Sequence, residues 1–181
     1  IQRIISSVNL LNDILNDFLS VGKIEEGKIQ VKNTSFELQD FAQKTIAEMR
    51  MVTQPQQKIV YRHIGPSDVC LDANLLKHIL HNLLSNAIKF SPNHGIIEVF
   101  TQVENDTLTL RVSDNGIGIS KEDMKHLFER FFRATNAANV QGTGLGLHIV
   151  MKYVELMNGR ISCHSELEQG TSFVIQVPSK Q

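Results

Sequence analysis

The segment that most constrains the fold is residues 73–90, "ANLLKHILHNLLSNAIKF", which has the strongest helical periodicity in the chain. Asp72 is a predicted N-cap before it, and Pro92 is a predicted stop after it. Its apolar side chains recur at helical spacing as one stripe: Leu75, Leu76, Ile79, Leu80, Leu83, Leu84, Ala87 and Ile88. Because such a stripe has to be buried, the helix is expected to pack on a second layer of structure.

Around this helix the pattern alternates between strands and helices. Strands are expected in "KIQVK", "KIVYRHI", "DVCL", "GIIEVFTQV", "TLTLRVSD", "GRISCHS" and "GTSFVIQVP", and the fourth and fifth form a hairpin around residues 104–106. A capping box of Thr34 and Glu37 predicts a helix to about Thr53, and further helices are expected in "SKEDMKHLFERFF" and after the glycines at 142–146. These elements predict an α+β fold, a two-layer sandwich with a mixed sheet and helices on one face.

Residues 1–20 form a predicted amphipathic helix that precedes this sandwich. Its apolar stripe consists of Ile1, Ile4, Ile5, Val8, Leu11, Leu15, Phe18 and Leu19. A helix this short is expected to pack on another helix, from a partner chain or from a missing N-terminal part, or else on its own domain. Residues 21–28, with two glycines, are the predicted linker to a unit spanning 29–181. Because helical periodicity is already running at Ile1, we expect the chain to be a fragment of a longer protein.

Composition excludes several classes of function. The net charge of −1 over 181 residues gives no general reason to expect a nucleic-acid or anionic-membrane partner. No apolar run approaches the roughly 20 residues of a membrane span. Cys70 and Cys163 lack metal-ligand spacing, so reduced core thiols and a cytosolic setting are expected.

The strongest helix also carries an unusual polar face. Asn82, Asn86 and Lys89 follow one another at helical spacing, although asparagine is a middling helix former in mid-helix positions. A carboxamide oxygen is a suitable ligand for Mg²⁺, and a lysine one turn later can neutralise phosphate. The alternative is an ordinary polar face in contact with solvent.

The stretch "SDNGIGIS" ends a predicted strand. Asp114 has no acidic residues at alternating positions after it, which argues against a calcium loop. A tight turn is one interpretation. The other is that Gly116 and Gly118, with their neighbouring isoleucines, form an apolar floor beside a buried Asp114 that accepts a hydrogen bond from an exocyclic amine.

Two further stretches indicate an anion site. "QGTGLGLH" places Gly142, Gly144 and Gly146 before a helix, but its spacing fits neither a Walker loop nor a dinucleotide fingerprint. Two interpretations of this loop remain open: it is an anion site, or it is a glycine-rich lead-in to the helix that binds no ligand. In "LFERFFR", helical spacing favours a core role for Phe128 and Phe131, whereas Arg130 and Arg133 are suited to phosphate.

Taken in order, these motifs resemble the ATP-binding domain of the histidine kinases of bacterial two-component systems. "HNLLSNAIKF" resembles the N box, "DNGIGI" the first glycine box, "FERFFR" the F box and "GTGLGL" the second glycine box, and "GTSF" matches the last strand. "LLNDILNDFLSVGKIEEGK" looks like the second helix of the family's dimerisation and phosphotransfer domain with its linker. The resemblance covers the chain from about residue 28 onward.

The resemblance implies a Bergerat-type sandwich that binds ATP and Mg²⁺ under a lid running from about Ala134 to Gln141. Asn86 would hold Mg²⁺, while Asn82 and Lys89 would support the metal and the phosphates and act in catalysis. Asp114 would accept the adenine amine, assisted by Thr171, and Gly116 and Gly118 would let the base approach the backbone. The remaining expected nucleotide contacts are Arg130, Arg133, Gly142, Thr143, Gly144, Leu145, Gly146 and Leu147.

The resemblance also implies a reaction and partners. The γ-phosphate would pass to a histidine on a dimerisation domain of the same or a sister chain, and then to the receiver domain of a response regulator. The family's acceptor-histidine motif does not occur among residues 1–181. A homodimeric parent and a cytoplasmic location for these residues are expected. Most relatives are anchored in a membrane, but whether the parent also has membrane spans is left open by the sequence. A non-catalytic ATP-binding or dimerisation module and an anti-sigma-type serine kinase are the alternatives.

Overall fold

The structure, a computed structural model, describes residues 2–137 and 140–179, without the side chains of residues 2–7, 9, 10 and 13. The helices are α1 (Gln2–Glu25), α2 (Leu38–Arg50), α3 (Ala73–Phe90) and α4 (Gly146–Leu156). The strands are β1 (Thr34–Glu37), β2 (Lys58–Ile64), β3 (Asp68–Leu71), β4 (Ile96–Glu104), β5 (Thr107–Asp114), β6 (Arg160–Glu166) and β7 (Gly170–Pro178). None of the described helices is both long and apolar enough to cross a membrane.

Five strands form the main sheet, in the order β2-β4-β5-β7-β6. β2 and β4 are parallel and the other neighbours are antiparallel, so the sheet is mixed, as predicted. Along β4, Ile97, Val99 and Thr101 are buried while Ile96 and Glu98 are exposed, so one face of the sheet is covered. Helices α2, α3 and α4 contact the sheet and build a common core with that face. The predicted α+β two-layer sandwich is confirmed.

Helix α3 lies at the centre of this core. All eight apolar side chains of its predicted stripe are buried. The Asp72 carboxylate caps its N-terminus by accepting hydrogen bonds from the backbone N–H groups of Asn74 and Leu75, at 3.0 and 3.1 Å. At the other end, the buried Gln57 amide donates to the carbonyls of Ile88, Ser91 and Pro92. This side-chain cap from a distant loop was not predicted from the sequence.

The predicted strand at residues 28–32 and the predicted start of the second helix are both wrong. Residues 28–33 have no regular structure, and the backbone N–H of Lys32 donates to the Asp72 carboxylate at 2.8 Å. The strand lies instead at Thr34–Glu37, where it pairs antiparallel with β3 in a separate two-stranded sheet. Glu37 is the N-cap of α2, because its carboxylate accepts from the N–H groups of Gln39 and Asp40, and α2 ends at Arg50.

Two other helix boundaries differ from the prediction. Helix α1 continues through Gly22 to Glu25, five residues beyond the expected end, because Val21 and Ile24 pack against the core. The helix expected at 120–132 is only a 3₁₀ turn at Asp123–His126. Phe131 adopts a left-handed backbone conformation with φ of 60°, which interrupts helical continuation. The predicted stripe members Ile1, Ile4 and Ile5 lie outside the residues whose side chains are described.

Candidate functional site

The candidate site forms where the C-terminal end of α3 meets the ends of two sheet strands. In the antiparallel register, Asp114 at the end of β5 lies opposite Thr171 at the start of β7. The backbone N–H of Ile117, in the loop after β5, donates to the carbonyl of Phe90 at 3.2 Å. The helix with the asparagine face and the loop with the paired glycines therefore share one site.

Asp114 is a largely buried carboxylate. Burial raises its pKa from 3.8 to about 6, although hydrogen bonds from the backbone N–H groups of Gly116 and Thr171 lower it. The Gly116 N–H lies 2.8 Å from Oδ1. Burial, together with the nearby Asp114 charge, also raises the pKa of the Cys163 thiol to about 12, so this thiol stays protonated. Both cysteines are free, as predicted.

The glycines after Asp114 allow close backbone approaches. A Cβ on Gly116 would lie 2.3 Å from the Phe90 carbonyl oxygen and 2.7 Å from Asp114 Oδ1. Gly118 has φ of +66°, and a Cβ there would lie 1.9 Å from the carbonyl oxygen of Glu166. The interpretation of this stretch as more than a simple turn is supported, because the bare backbone joins α3, β5 and the β6–β7 turn.

The polar face of α3 borders the same site. The Asn82 amide donates to the His78 carbonyl at 3.0 Å, and a Cβ on Gly146 would lie 2.8 Å from Asn82 Oδ1. Asn86, one turn later, is half-buried, and its side chain makes no hydrogen bond to the part of the chain that the structure describes. Lys89 is exposed and forms no ion pair with a described residue. The polar atoms of Asn86 and Lys89 are therefore not engaged by the described residues.

These residues fit a cation held jointly with phosphate. Within residues 2–137 and 140–179, no group of three or more His, Cys, Asp or Glu side chains is arranged to hold a metal. Mg²⁺ is commonly bound through few protein ligands together with substrate phosphates and water. Asn86 supplies one neutral oxygen of the required kind, and Lys89 supplies a positive charge close to it in sequence.

The glycine-rich stretch leads into α4 as predicted. The Thr143 hydroxyl accepts a hydrogen bond from the Leu145 N–H at 3.1 Å, just before the helix begins at Gly146. The first turn of α4 contains no acidic residue, so its free N–H groups and helix dipole favour an anion. Gly144 has φ of +73°, and a Cβ there would lie 2.7 to 3.0 Å from the Phe131 backbone, whereas a Cβ on Gly142 would meet nothing within 4 Å. Leu145 is buried and Leu147 is partly buried, so their side chains hold α4 in place.

The two arginines of "FERFFR" contact protein groups in this conformation. Arg130 forms an ion pair with Glu25 of α1 and donates through Nε to His148 at 3.3 Å. Arg133 donates to the carbonyls of Ala137 and Val140. Residues 138 and 139 of the expected lid lie outside the described residues. Phe128 packs against the core as predicted. The core prediction for Phe131 is wrong, because its left-handed backbone leaves its side chain 65% exposed.

A cavity of about 350 Å³ opens beside these elements. It is lined by Lys89, Phe90, Ser91, Pro92, Asn115, Gly116, Ile117 and Val140. Its walls therefore come from the end of α3, the first glycine loop and Val140 of the segment expected to form a lid, and its size falls in the range of small-molecule sites.

Ser165 is a site residue that sequence reasoning missed. Its hydroxyl lies 2.9 Å from the Thr171 hydroxyl, donates to the Gly170 carbonyl at 2.8 Å and accepts from the Ile119 N–H at 2.9 Å. It thereby ties the glycine loop to the strand that carries Thr171. Its signal in the sequence is weak: a small polar residue at an inward-facing position of β6, two residues after Cys163.

Comparisons with known proteins identify relatives of the chain. The family described as histidine kinase-, DNA gyrase B-, and HSP90-like ATPase matches residues 71–181. The chain is 36% identical to the autoinducer 2 sensor kinase/phosphatase LuxQ of Vibrio vulnificus, over 91% of this chain and 20% of the relative. It is 33% identical to the sensor histidine kinase RcsC of Escherichia coli, over 98% of this chain and 20% of the relative. The chain thus spans about a fifth of the length of these curated relatives.

Solved structures agree with the fold. The mycobacterial sensor histidine kinase MprB matches with a TM-score of 0.72 and 26% identity, covering 81% of this chain and 99% of that one. The Acinetobacter baumannii histidine kinase AdeS matches in fold with a TM-score of 0.80 at 22% identity, covering 99% of this chain and 84% of that one. The second match extends over α1 as well as the sandwich.

Proposed function

The chain belongs to the histidine kinase-, DNA gyrase B-, and HSP90-like ATPases, and we propose that it binds Mg-ATP as the catalytic domain of a sensor histidine kinase. The bound ATP donates its γ-phosphate to a histidine on a dimerisation and phosphotransfer domain, of the same or a sister chain. The receiver domain of a response regulator then takes the phosphoryl group. The full-length protein acts as a homodimer.

The burial of Asp114 is the observation that carries this proposal. A carboxylate with a raised pKa of about 6, fixed by the Gly116 N–H, is ionised at neutral pH and ready to accept the exocyclic amine of adenine. Guanine presents a carbonyl oxygen at the corresponding position, which would face the carboxylate without a proton between them. A buried acceptor left unpaired in this way costs about 1 to 3 kcal/mol or more, so ATP is favoured over GTP.

The phosphate side of the site uses α3 and the start of α4. Asn86 ligates Mg²⁺, which neutralises phosphate charge when it is bound, and Lys89 adds a positive charge along the same helix face. A Cβ on Gly146 would lie 2.8 Å from Asn82 Oδ1, so the bare glycine lets the start of α4, with its N–H groups, approach Asn82 of α3 closely. These groups hold the phosphates in line with the acceptor, and phosphoryl transfer depends mainly on such positioning and electrostatics.

Calorimetric titration of the chain with ATP, with and without Mg²⁺ and with GTP as the control nucleotide, tests the proposal. We expect Mg²⁺-dependent binding of ATP and no comparable binding of GTP. Asn86→Ala is expected to remove the Mg²⁺ dependence without unfolding the protein, because its side chain makes no hydrogen bond to the described chain. Equal affinity for GTP would contradict the assignment of Asp114, and absence of ATP binding would contradict the proposed function.

A further inference from the structure

Three polar side chains lie in one row across the sheet, beside the proposed nucleobase site. Asp114 on β5 is directly opposite Thr171 on β7, and Thr171 is directly opposite Ser165 on β6. Directly opposed residues point to the same face of a sheet, with Cβ atoms about 4.5 to 5.5 Å apart. The next row, two residues away on each strand, packs in the core and consists of Val112, Phe173 and Cys163. The polar row therefore lies on the face that the helices cover.

The hydrogen-bonding capacity of the Ser165 hydroxyl is fully used. A hydroxyl has one hydrogen to donate and two lone pairs that accept. The Ser165 hydrogen goes to the Gly170 carbonyl at 2.8 Å, because a carbonyl oxygen can only accept. One lone pair accepts from the Ile119 N–H at 2.9 Å. The hydrogen bond of 2.9 Å between the Ser165 and Thr171 hydroxyls must therefore be donated by Thr171.

This direction decides what the Thr171 side chain offers to a ligand. Because its hydrogen is directed to Ser165, the Thr171 hydroxyl retains only lone pairs on the side of Asp114. The Asp114 carboxylate, which is ionised at neutral pH, is also an acceptor. The two side chains of this row that neighbour each other at the proposed nucleobase site thus present acceptors alone.

We propose that Ser165 is a positioning residue that determines base specificity, because it directs the Thr171 hydrogen away from the nucleobase and leaves Asp114 and Thr171 as paired acceptors for an exocyclic amine. This inference rests on the proposed function. An amine has hydrogens to donate and a ring carbonyl has none, so two acceptors favour a 6-amino purine over a 6-oxo purine. Asp114 supplies the first acceptor, and the orientation imposed by Ser165 supplies the second.

Loss of the Ser165 hydroxyl releases the hydrogen of Thr171. The freed hydroxyl can then donate to the oxygen of a 6-oxo purine or to the Asp114 carboxylate. The first bond stabilises the wrong base, and the second weakens the acceptor that the right base needs. Both lower the preference for a 6-amino purine, by roughly three- to tenfold if one neutral hydrogen bond is exchanged.

The test compares the dissociation constants of Mg-ITP and Mg-ATP, measured by competition against an ATP with a fluorescent label on its ribose. ITP differs from ATP in carrying a carbonyl at position 6 and a hydrogen on N1. In Ser165→Ala, the ratio of the ITP constant to the ATP constant is expected to fall roughly three- to tenfold. In Ser165→Thr, which keeps a hydroxyl on the same carbon and suits a strand, the ratio should stay within about twofold of the unaltered value.

Two further variants keep the fold and the role of Ser165 apart. Ser165→Cys retains the size of the side chain but has only a weakly hydrogen-bonding sulfur, so its ratio should fall even if the alanine variant does not fold. Ser172→Ala is the matched control, because it removes a hydroxyl from the opposite face of the sheet, where Ser172 bonds the Ser113 hydroxyl at 2.8 Å. Its ratio should equal that of the unaltered chain.

Thr171→Val tests whether the effect passes through the threonine. It leaves the bonds of Ser165 to the Gly170 carbonyl and the Ile119 N–H in place, and it should lower the ratio by itself. In the Thr171→Val background, the further change Ser165→Ala should lower the ratio no more, because no threonine hydrogen remains to be released.

An unchanged ratio in both Ser165→Ala and Ser165→Cys would overturn the inference, because mere loosening of the site weakens both nucleotides alike. An equal fall in Ser165→Thr or in Ser172→Ala would also overturn it, and so would a further fall in the double variant. Failure of the unaltered chain to bind ATP would instead refute the proposed function on which the inference rests.

Discussion

Replacing Asp114 with asparagine is expected to increase the free energy of unfolding and, at the same time, to weaken ATP binding. The folded protein raises the pKa of this carboxyl from 3.8 to about 6, and a pKa difference of one between two states corresponds to about 1.4 kcal/mol. At pH 8 the ionised carboxylate therefore costs about 3 kcal/mol relative to its neutral form. Asparagine keeps an oxygen that accepts the Gly116 N–H and carries no charge. Asp114→Asn should stabilise the nucleotide-free protein at pH 8 by about 1 to 3 kcal/mol.

The gain has a defined pH dependence. The pKa of the Asp114 carboxyl is higher in the folded state than in the unfolded state, so the folded state binds more protons between pH 3.8 and about pH 6. Protonation of Asp114 therefore stabilises the fold fully below about pH 4, and this stabilisation is lost as the pH rises through about 6. The difference between the two proteins should therefore vanish near pH 4. In contrast, ATP affinity at pH 8 should fall at least tenfold, since the variant presents an amide where the adenine amine needs a strong acceptor.

Urea unfolding at pH 4, 6 and 8, followed by ATP titration at pH 8, measures both effects. Asp106→Asn is the matched control, because this substitution removes the same charge from an exposed residue, in the turn between β4 and β5. An equal stability change at pH 4 and pH 8 would show that burial of charge is not its cause. Unchanged ATP affinity would refute the adenine assignment.

The remaining predictions concern the framework of the site. Gly118→Ala should destabilise the protein by about 2 kcal/mol or more, because the new Cβ would lie 1.9 Å from the Glu166 carbonyl oxygen at a φ of +66°. Gly142→Ala, where a Cβ meets nothing within 4 Å, should change the free energy of unfolding by less than about 0.5 kcal/mol. Gln57→Ala should cost about 2 kcal/mol, because its amide donates to three carbonyls at the end of α3, while the exposed Gln56→Ala should be neutral. Equal urea midpoints for Gly118→Ala and Gly142→Ala, or for Gln57→Ala and Gln56→Ala, would contradict these expectations.

The sequence predicted the elements whose periodicity and caps agree. Helix α3 has an unbroken stripe, an aspartate cap and a proline stop, and it forms as predicted. The hairpin of β4 and β5 likewise has clear alternation and a tight turn at Asn105 and Asp106, both with positive φ. Local signals were sufficient wherever they matched the tertiary environment.

Predictions failed where distant partners decide the local structure. Thr34 and Glu37 satisfy a capping pattern, but pairing with β3 makes residues 34–37 a strand, and Glu37 caps the helix instead. The helical spacing of the F-box phenylalanines is overridden by the positive φ of Phe131. The caps supplied by Gln57 and the bridge made by Ser165 depend on contacts across 31 to 46 residues, which no periodicity encodes.

For the site, the sequence identified residue types, and the fold determined which of them meet. Asp114, Gly116 and Thr171 come together because β5 and β7 are neighbours in register. The contacts of Arg130 and Thr143 with α1 could not be predicted, because they depend on how one helix lies against the sandwich.

The central claim is tested most directly by transfer of phosphate. The chain is mixed with a separately prepared dimerisation domain that carries an acceptor histidine, in the presence of Mg²⁺ and ATP labelled in the γ-phosphate. The proposed function predicts acid-labile label on the acceptor domain, at a rate that drops strongly for Asn86→Ala. A chain that binds ATP tightly yet leaves the acceptor unlabelled would contradict the claim that it is a kinase domain.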